Sequence, residues 1–330
     1  MSPGSPAPEL EVRRATEADG PAIAELCRAT LGWVEGEPFD ELFAWKHDRN
    51  PFGTSPRWVA VTGDGDVVGL RVFMRWGFVA PDGSRLAAVR AVDTATHPDH
   101  QGRGLFRRLT LGALPDLRGD GVDLVFNTPN DKSRPGYLKM GWSEVGRVAV
   151  GVRLGGLRRL PAMAGARTAA ELWSEPSSAG LDAADVLAET AAVDRLLAAL
   201  AAPAGIRTDR SADYLRWRYS FEPLRYRAVL VGRDIEDGLV LFRVRRRGAA
   251  RECAVTEVLV PPGRSVGPTM ARVARESDAD YLLRAGAAPL REGFLPAPAL
   301  GPVLTWRPVG RPGVPRLGDL ALALGDLELF

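Results

Sequence analysis

Lysine, histidine and cysteine are all scarce in this chain. Three lysines stand against forty arginines, there are 3 histidines, and the 2 cysteines, Cys27 and Cys253, lie far apart and outside any C-x-x-C pattern. That spacing indicates neither a zinc cage nor a disulfide framework and fits a reducing, cytoplasmic setting. Apolar runs of about eighteen residues are missing too, so no membrane span is expected. The Pro/Ser/Gly-rich stretch 1–9 lacks the basic start and apolar core of an export signal and reads as a disordered N-terminus. Nor does one sign of charge dominate: 43 basic residues against 41 acidic leave +2, too balanced to draw the chain to nucleic acid or a membrane surface. What is present is ordinary globular composition, 45% hydrophobic and 25% charged over 330 residues, and roughly 150 residues per domain predicts about two domains.

A strand from Leu10 to Arg14 is followed by Thr16-Glu17-Ala18-Asp19, a helix-start signature, with Ile23, Leu26 and Cys27 at helical spacing behind it. The pattern then predicts a helix from Phe39 to His47 and strands from Trp58 to Val61 and Val67 to Phe78 around Gly63-Asp64-Gly65. A strand from Leu86 to Ala95, a helix from Leu105 to Leu114, a strand from Val122 to Phe126, a short helix from Lys132 to Met140 and a strand from Glu144 to Val152 complete the first half. Residues 154–206 are Ala-rich, with Asp182 opening a helix that sets Val186, Val193, Leu196, Leu197 and Leu200 on one face, and read as a helical connector.

Beyond it, Trp217-Arg218-Tyr219 precedes Pro223 at the spacing by which Trp45-Lys46-His47 precedes Pro51, an offset of 172 residues. Strands from Arg227 to Val231, Gly238 to Val244 and Cys253 to Leu259, a helix from Thr269 to Glu276 and a strand from Tyr281 to Leu283 repeat the earlier order. Two related α/β units follow from that agreement. The run Arg243-Val244-Arg245-Arg246-Arg247 alternates at a strand end and reads as a solvated hairpin tip.

The chemistry concentrates in Thr96-His97-Pro98-Asp99-His100-Gln101-Gly102-Arg103-Gly104-Leu105-Phe106, between a strand and a helix. Two glycines let the backbone curl so that amide N–H groups converge, and the helix start adds its positive end, which makes a cradle for a pyrophosphate. A tight turn with no ligand would need the same glycines. One strand later come Asn130-Asp131-Lys132-Ser133 and Tyr137-Leu138-Lys139-Met140-Gly141-Trp142.

With these segments in place the sequence resembles the GNAT N-acetyltransferase superfamily, whose Q/R-x-x-G-x-G/A motif aligns with Gln101, Gly102, Arg103, Gly104, Leu105 and Phe106 and whose Y-x-x-x-G-F/W aligns with Tyr137 to Trp142. Phe106 departs from it, standing where the family prefers glycine or alanine. The plan is similar to the tandem, Eis-like acetyltransferases. The resemblance implies two GNAT-like units, each a mixed, mostly antiparallel sheet flanked by helices: 10–153 binding acyl-CoA and 207–330 degenerate. In the second unit Val260-Pro261-Pro262-Gly263-Arg264 replaces the glycine loop, and its two prolines bring no N–H groups.

The same resemblance implies acetyl-CoA as cosubstrate, in a gap between the strands Leu86 to Ala95 and Val122 to Phe126, with amides near Ala95 and Thr96 facing the thioester. Gln101, Gly102, Arg103, Gly104 and Leu105 would meet the phosphates and Asn130 the pantetheine arm, Asn130 being equally suited to cap a helix. Tyr137 would be the general acid for the departing thiolate, or else a packing residue. Asp93 is the candidate base, with His97 and the chain's terminal carboxylate as alternatives. His97 and His100 have too few companions for a metal site. Glu35, Glu37, Asp40 and Glu41 could hold a cationic amine, and Trp33, Trp45 and Trp76 could line its cleft. The expected reaction is acetyl transfer to a primary amine of a small molecule or protein by direct attack, with no nucleic-acid or membrane partner. The rivals are a Fem-like aminoacyl transferase using charged tRNA and a non-catalytic CoA-binding sensor. Acceptor identity and oligomeric state stay open.

Overall fold

The computed structural model describes residues 10–156, 168–286, 290–311 and 313–328, so the expectations for 1–9 and for the terminal carboxylate lie outside the described residues. Its strands are β1 (Glu11–Arg14), β2 (Arg57–Val61), β3 (Val67–Val79), β4 (Arg85–Thr96), β5 (Leu124–Asn127), β6 (Ser143–Arg147), β7 (Val150–Leu154), β8 (Leu181–Asp182), β9 (Arg207–Thr208), β10 (Arg227–Leu230), β11 (Leu239–Arg247), β12 (Ala250–Leu259), β13 (Tyr281–Ala285), β14 (Leu295–Pro296) and β15 (Val303–Pro308). The helices that matter below are α1 (Gly20–Thr30), α2 (Phe39–His47), α3 (Leu105–Gly112), α4 (Leu114–Gly119) and α5 (Arg134–Lys139), then α6 (Ala183–Ala188), α7 (Thr190–Ala199) and α8 (Ala212–Tyr219).

Two sheets carry the fold. The first runs β1-β2-β3-β4-β5-β15-β6, with β9 paired to β3, and the second runs β8-β10-β11-β12-β13-β7-β14. In each, the fourth and fifth strands are a parallel pair, β4 with β5 and β12 with β13. The orders therefore match place for place, as the internal repeat predicts. The sixth places are exchanged. β15, far along the chain, fills the first sheet's, and β7, just after β6, fills the second's. For this reason the compact units are not contiguous: one holds the described chain up to Gly77 with Leu86–Glu144 and Thr305–Val314, the other Phe78–Arg85, Val145–Leu304 and Pro315 onward.

In the first unit, Ile23, Leu26 and Cys27 of α1 pack with Val59, Leu70, Val72 and Ala95 in one core cluster. Leu105 and Leu109 of α3, with Leu117, Tyr137 and Trp142, form another with Phe73, Val89 and Val125. A sheet covered on both faces needs strands apolar on both faces, which is why β3 reads as a near-continuous apolar run. Burial of such side chains contributes about 1.5–3 kcal/mol each.

Several elements differ from the sequence pattern. The single helix expected from Leu105 to Leu114 stops at Gly112 and restarts as α4, with Pro115 in its first turn where a missing N–H is harmless. The strand expected from Glu144 to Val152 is two strands, β6 and β7, in different sheets. The segment read as a connector supplies the edge strand β8 and the helices α6 and α7 of the second unit. Asp182 does cap α6, its Oδ1 accepting the Ala184 amide at 2.9 Å.

The arginine run of β11 is not a solvated tip. Arg243 and Arg245 are 0% and 8% exposed, and both meet Glu328 near the chain's end. Arg243 donates to Glu328 Oε1 through Nε at 2.9 Å and Nη2 at 2.6 Å, and Arg245 Nη1 lies 2.8 Å from it. Tyr226 donates to Oε2 at 3.0 Å, with Arg218 Nη2 at 3.5 Å. Burial alone would raise this carboxyl, but Arg243, Arg245 and Arg218 outweigh it and hold the pKa at about 2. Alternation along β11 turns Arg243 and Arg245 to the same buried side.

Candidate functional site

The parallel pairing of β4 and β5 covers Ala88 with Leu124, Val89 with Val125 and Arg90 with Phe126. β5 then ends at Asn127, while β4 runs on to Thr96. At Asp93 the backbone turns left-handed, φ 40°, an unusual conformation for a non-glycine residue. Beyond it Thr94, Ala95 and Thr96 wall a cavity of about 600 Å³, together with Thr30, His100, Gln101, Gly102, Gly104, Leu105 and Phe106.

The loop that closes this cavity is built by its glycines. Gly102 and Gly104 adopt φ 75° and 72°. A Cβ at either would meet nothing within 4 Å, so conformation rather than crowding demands glycine there. His100 and Gln101 spend their amides on the carbonyls of His97 and Pro98. The amides of Gly102, Arg103, Gly104, Leu105, Phe106 and Arg107 donate to no acceptor among the described residues, and α3 makes its first bond from Arg108 N to Gly104 O at 3.0 Å. A run of unspent N–H groups at a helix start is an anion cradle.

The structure gathers Ala95, Thr96, Gln101, Gly102, Gly104 and Leu105 around one cavity. Arg103 is exposed and outside its wall. Asn130 caps the turn before α5: its Oδ1 accepts from the amides of Lys132 and Ser133 at 3.1 and 2.9 Å. Phe106 turns its ring edge onto Tyr137, centroids 5.3 Å apart at 89°. Gly136 makes room for it, since a Cβ there would stand 3.2 Å from Phe106 Cε1.

Tyr137 is 4% exposed. Its oxygen accepts a hydrogen bond from Arg71 Nη2 at 2.7 Å, and Arg71 Nη1 donates to Thr94 Oγ1. Neither Arg71 nor Thr94 was singled out in the sequence. The available signal was an arginine inside the apolar run of β3.

Asp93, on β4, is already engaged by two residues of α2. Lys46 Nζ is 2.5 Å and His47 Nε2 2.8 Å from its Oδ2. Burial pushes the carboxyl up, but the Lys46 charge and the His47 hydrogen bond prevail and hold it below the usual carboxylate range. Burial also lowers His47 to about 4 against the pull of Asp93, so the imidazole is neutral. An ionised Asp93 can only accept, hence Nε2 is the donor and Nδ1 accepts from Ser55 Oγ at 3.0 Å. This has the connectivity of a hydrolytic triad, yet Ser55 is 2% exposed, which leaves no approach for a substrate.

The remaining candidates scatter. His97 stacks edge-on to His100, centroids 6.0 Å apart, and among the described residues no group of three metal-ligating side chains occurs. Asp40 pairs with Arg28 at 2.8 Å, while Glu35, Glu37 and Glu41 are exposed. Trp33 stacks on Phe39 at 5.5 Å, and Trp45 and Trp76 are buried core residues.

Residues 11–145 match the acetyltransferase (GNAT) domain family. Three solved structures share the fold over 92% of this chain. A probable N-acyltransferase from Enterococcus faecalis V583 superposes with a TM-score of 0.61 at 12% identity over 73% of its own length. A GCN5-related N-acetyltransferase from Kribbella flavida gives 0.60 at 16% over 72%, and Eis1 from Mycobacterium abscessus 0.55 at 18% over 74%. No curated protein matches the sequence. Among the described residues no helix is long and apolar enough to cross a membrane.

Proposed function

We propose that this chain, whose residues 11–145 match the acetyltransferase (GNAT) domain family, is an N-acyltransferase that moves an acetyl group from acetyl-CoA to a primary amine by direct attack. The observation that carries this reading is the parting of β4 from β5 after Arg90, beside a loop whose consecutive amides from Gly102 to Arg107 are unspent. Those amides suit a pyrophosphate, and a cavity of about 600 Å³ suits the thioester end of the arm that carries it.

Acetyl-CoA supplies an activated acyl thioester when bound. The chain's own contribution is placement and proton supply: Thr94 to Thr96 wall the reacting end, and Tyr137 is the donor for the leaving sulfur. Asp93 is better suited to anchor α2 against β4 than to take the amine's proton, since Lys46 and His47 already hold its Oδ2. One site per chain is expected, because the second unit's counterpart loop spends two positions on Pro261 and Pro262.

Calorimetric titration with acetyl-CoA tests this directly. Saturable one-to-one binding followed by thiol release in the presence of amines supports the reading. Absence of binding at millimolar ligand removes it, and tight binding without transfer to any amine favours a CoA-binding sensor.

A further inference from the structure

The guanidinium of Arg71 is 1% exposed, and among the described residues no carboxylate pairs with it. Among the described residues its guanidinium meets hydroxyls and rings: Tyr137 Oη at 2.7 Å, Thr94 Oγ1, and the faces of Phe73, Tyr137 and Phe106 at 5.0, 5.4 and 5.6 Å. Its Nε has no partner among the described residues. A buried cation without a counter-charge is costly to keep, and such a group is retained where negative charge comes and goes.

Its two hydroxyl partners sharpen the point. Both oxygens accept from Arg71, and neither the Tyr137 nor the Thr94 hydroxyl proton has an acceptor among the described residues. Thr94 and Phe106 wall the cavity beside the glycine loop. One cation thus fixes two O–H donors, Thr94 in the cavity wall and Tyr137 packed against Phe106 of that wall.

We infer that Arg71 is the positioning residue of the acyl-transfer step, an inference that rests on the acyltransferase reading. It occupies the lone pairs of Thr94 Oγ1 and Tyr137 Oη so that both hydroxyls are left to donate toward the thioester. As the amine nitrogen bonds to the acyl carbon, the carbon–sulfur bond breaks and sulfur leaves with the electron pair. Tyr137 passes its proton to that sulfur, giving the free thiol. The phenolate left behind faces the Arg71 charge until solvent returns a proton, and the proton shed by the amine goes to solvent.

The test uses the full chain with acetyl-CoA as donor, a polyamine, an aminoglycoside and a peptide amine as acceptor probes, and thiol release as readout. Arg71→Met and Tyr137→Phe should each lower kcat about 100-fold, the scale of a lost general acid, with the acetyl-CoA KM within about threefold. Arg71→Lys should recover about tenfold of that loss by restoring a cation. A fully active Arg71→Met overturns the proposal and leaves the acyltransferase reading standing, whereas an unmodified chain that releases no thiol with any probe overturns both. If Arg71→Met does not fold, Thr94→Val decides: it keeps the β-branched shape and removes one donor, so an unchanged kcat overturns the proposal and a fall of about tenfold supports it.

Discussion

Replacing Glu328 with glutamine removes one charge and leaves three arginines facing a neutral amide. Arg243 loses the negative charge behind two hydrogen bonds, at 2.9 and 2.6 Å, and Arg218 a carboxylate at 3.5 Å. Arg245 keeps Glu252 at 2.8 Å, so Arg243 and Arg218, both 0% exposed, bear the damage. Breaking a buried pair from one side typically costs about 3–5 kcal/mol, because the remaining charge stays buried. An independent route gives a similar figure. The Glu328 pKa of about 2 lies below the ordinary glutamate value of 4.5, which at about 1.4 kcal/mol per unit corresponds to roughly 3 kcal/mol.

The sign follows from the depressed carboxyl. Its contribution is complete above the unfolded value near 4.5 and is lost as pH falls from there through about 2. Calorimetric melting of Glu328→Gln at pH 7 should lower the transition of the second unit by about 10 °C, taking about 2–4 °C per kcal/mol for a unit of this size. The variant's stability should also be flatter between pH 4.5 and 2. A variant melting within 2 °C of the parent at pH 7 would refute the argument that this carboxylate holds the arginines, and with it the account of why the arginine run is buried.

Three further outcomes are expected. His47, lowered to about 4, is neutral in the fold while the unfolded chain takes its proton from about 6.5, so its contribution is lost as pH falls between those values; a His47→Gln variant should lack that window in pH-resolved denaturant titrations. Gly104→Glu should abolish acetyl-CoA binding in calorimetry, since it adds a like charge at the cradle and forces φ 72° on a side chain, with a stability cost of about 1–2 kcal/mol. Gly136→Ala should destabilise by about 1–3 kcal/mol through its close approach to Phe106, and Phe106→Ala should relieve most of that in a double-mutant cycle on thermal unfolding.

Local signals were legible where the physics is local. Asp182 was readable as a cap because one side-chain oxygen and one amide settle it, and Gly102 and Gly104 because only glycine takes that backbone cheaply. Arg71 and Glu328 were not. Arg71 bonds residues of β4 and α5, and Glu328 sits 85 residues from Arg243, so no window of sequence brings either set together. The arginine run misled for the same reason: alternation identifies two faces, but only the acid from the far end of the chain decides which one is buried. Asp93 was visible as a strand carboxylate, while the cation that restrains it comes from α2.

Beyond the exchange of sixth strands, the two sheets differ in what borders the parting of their parallel pair. The β4–β5 and β12–β13 pairs are both parallel and both part before β4 and β12 end. In the first unit the parting strands border the glycine loop. In the second, the residues after Val255 border a cavity of about 580 Å³ that includes Glu257 and the segment Ala321–Leu324. Arg210 joins Glu257 at 3.1 Å to Asp326 at 2.8 Å, and Gly325 O takes two bonds from Arg218. The segment Gly325-Asp326 is thus fastened beside the second parting by Arg218 and Arg210. Burial and the Asp326 charge lift Glu257 to about 7 even though Arg210 opposes them, so one carboxyl of this group is readily neutral and the cluster tolerates a single arginine.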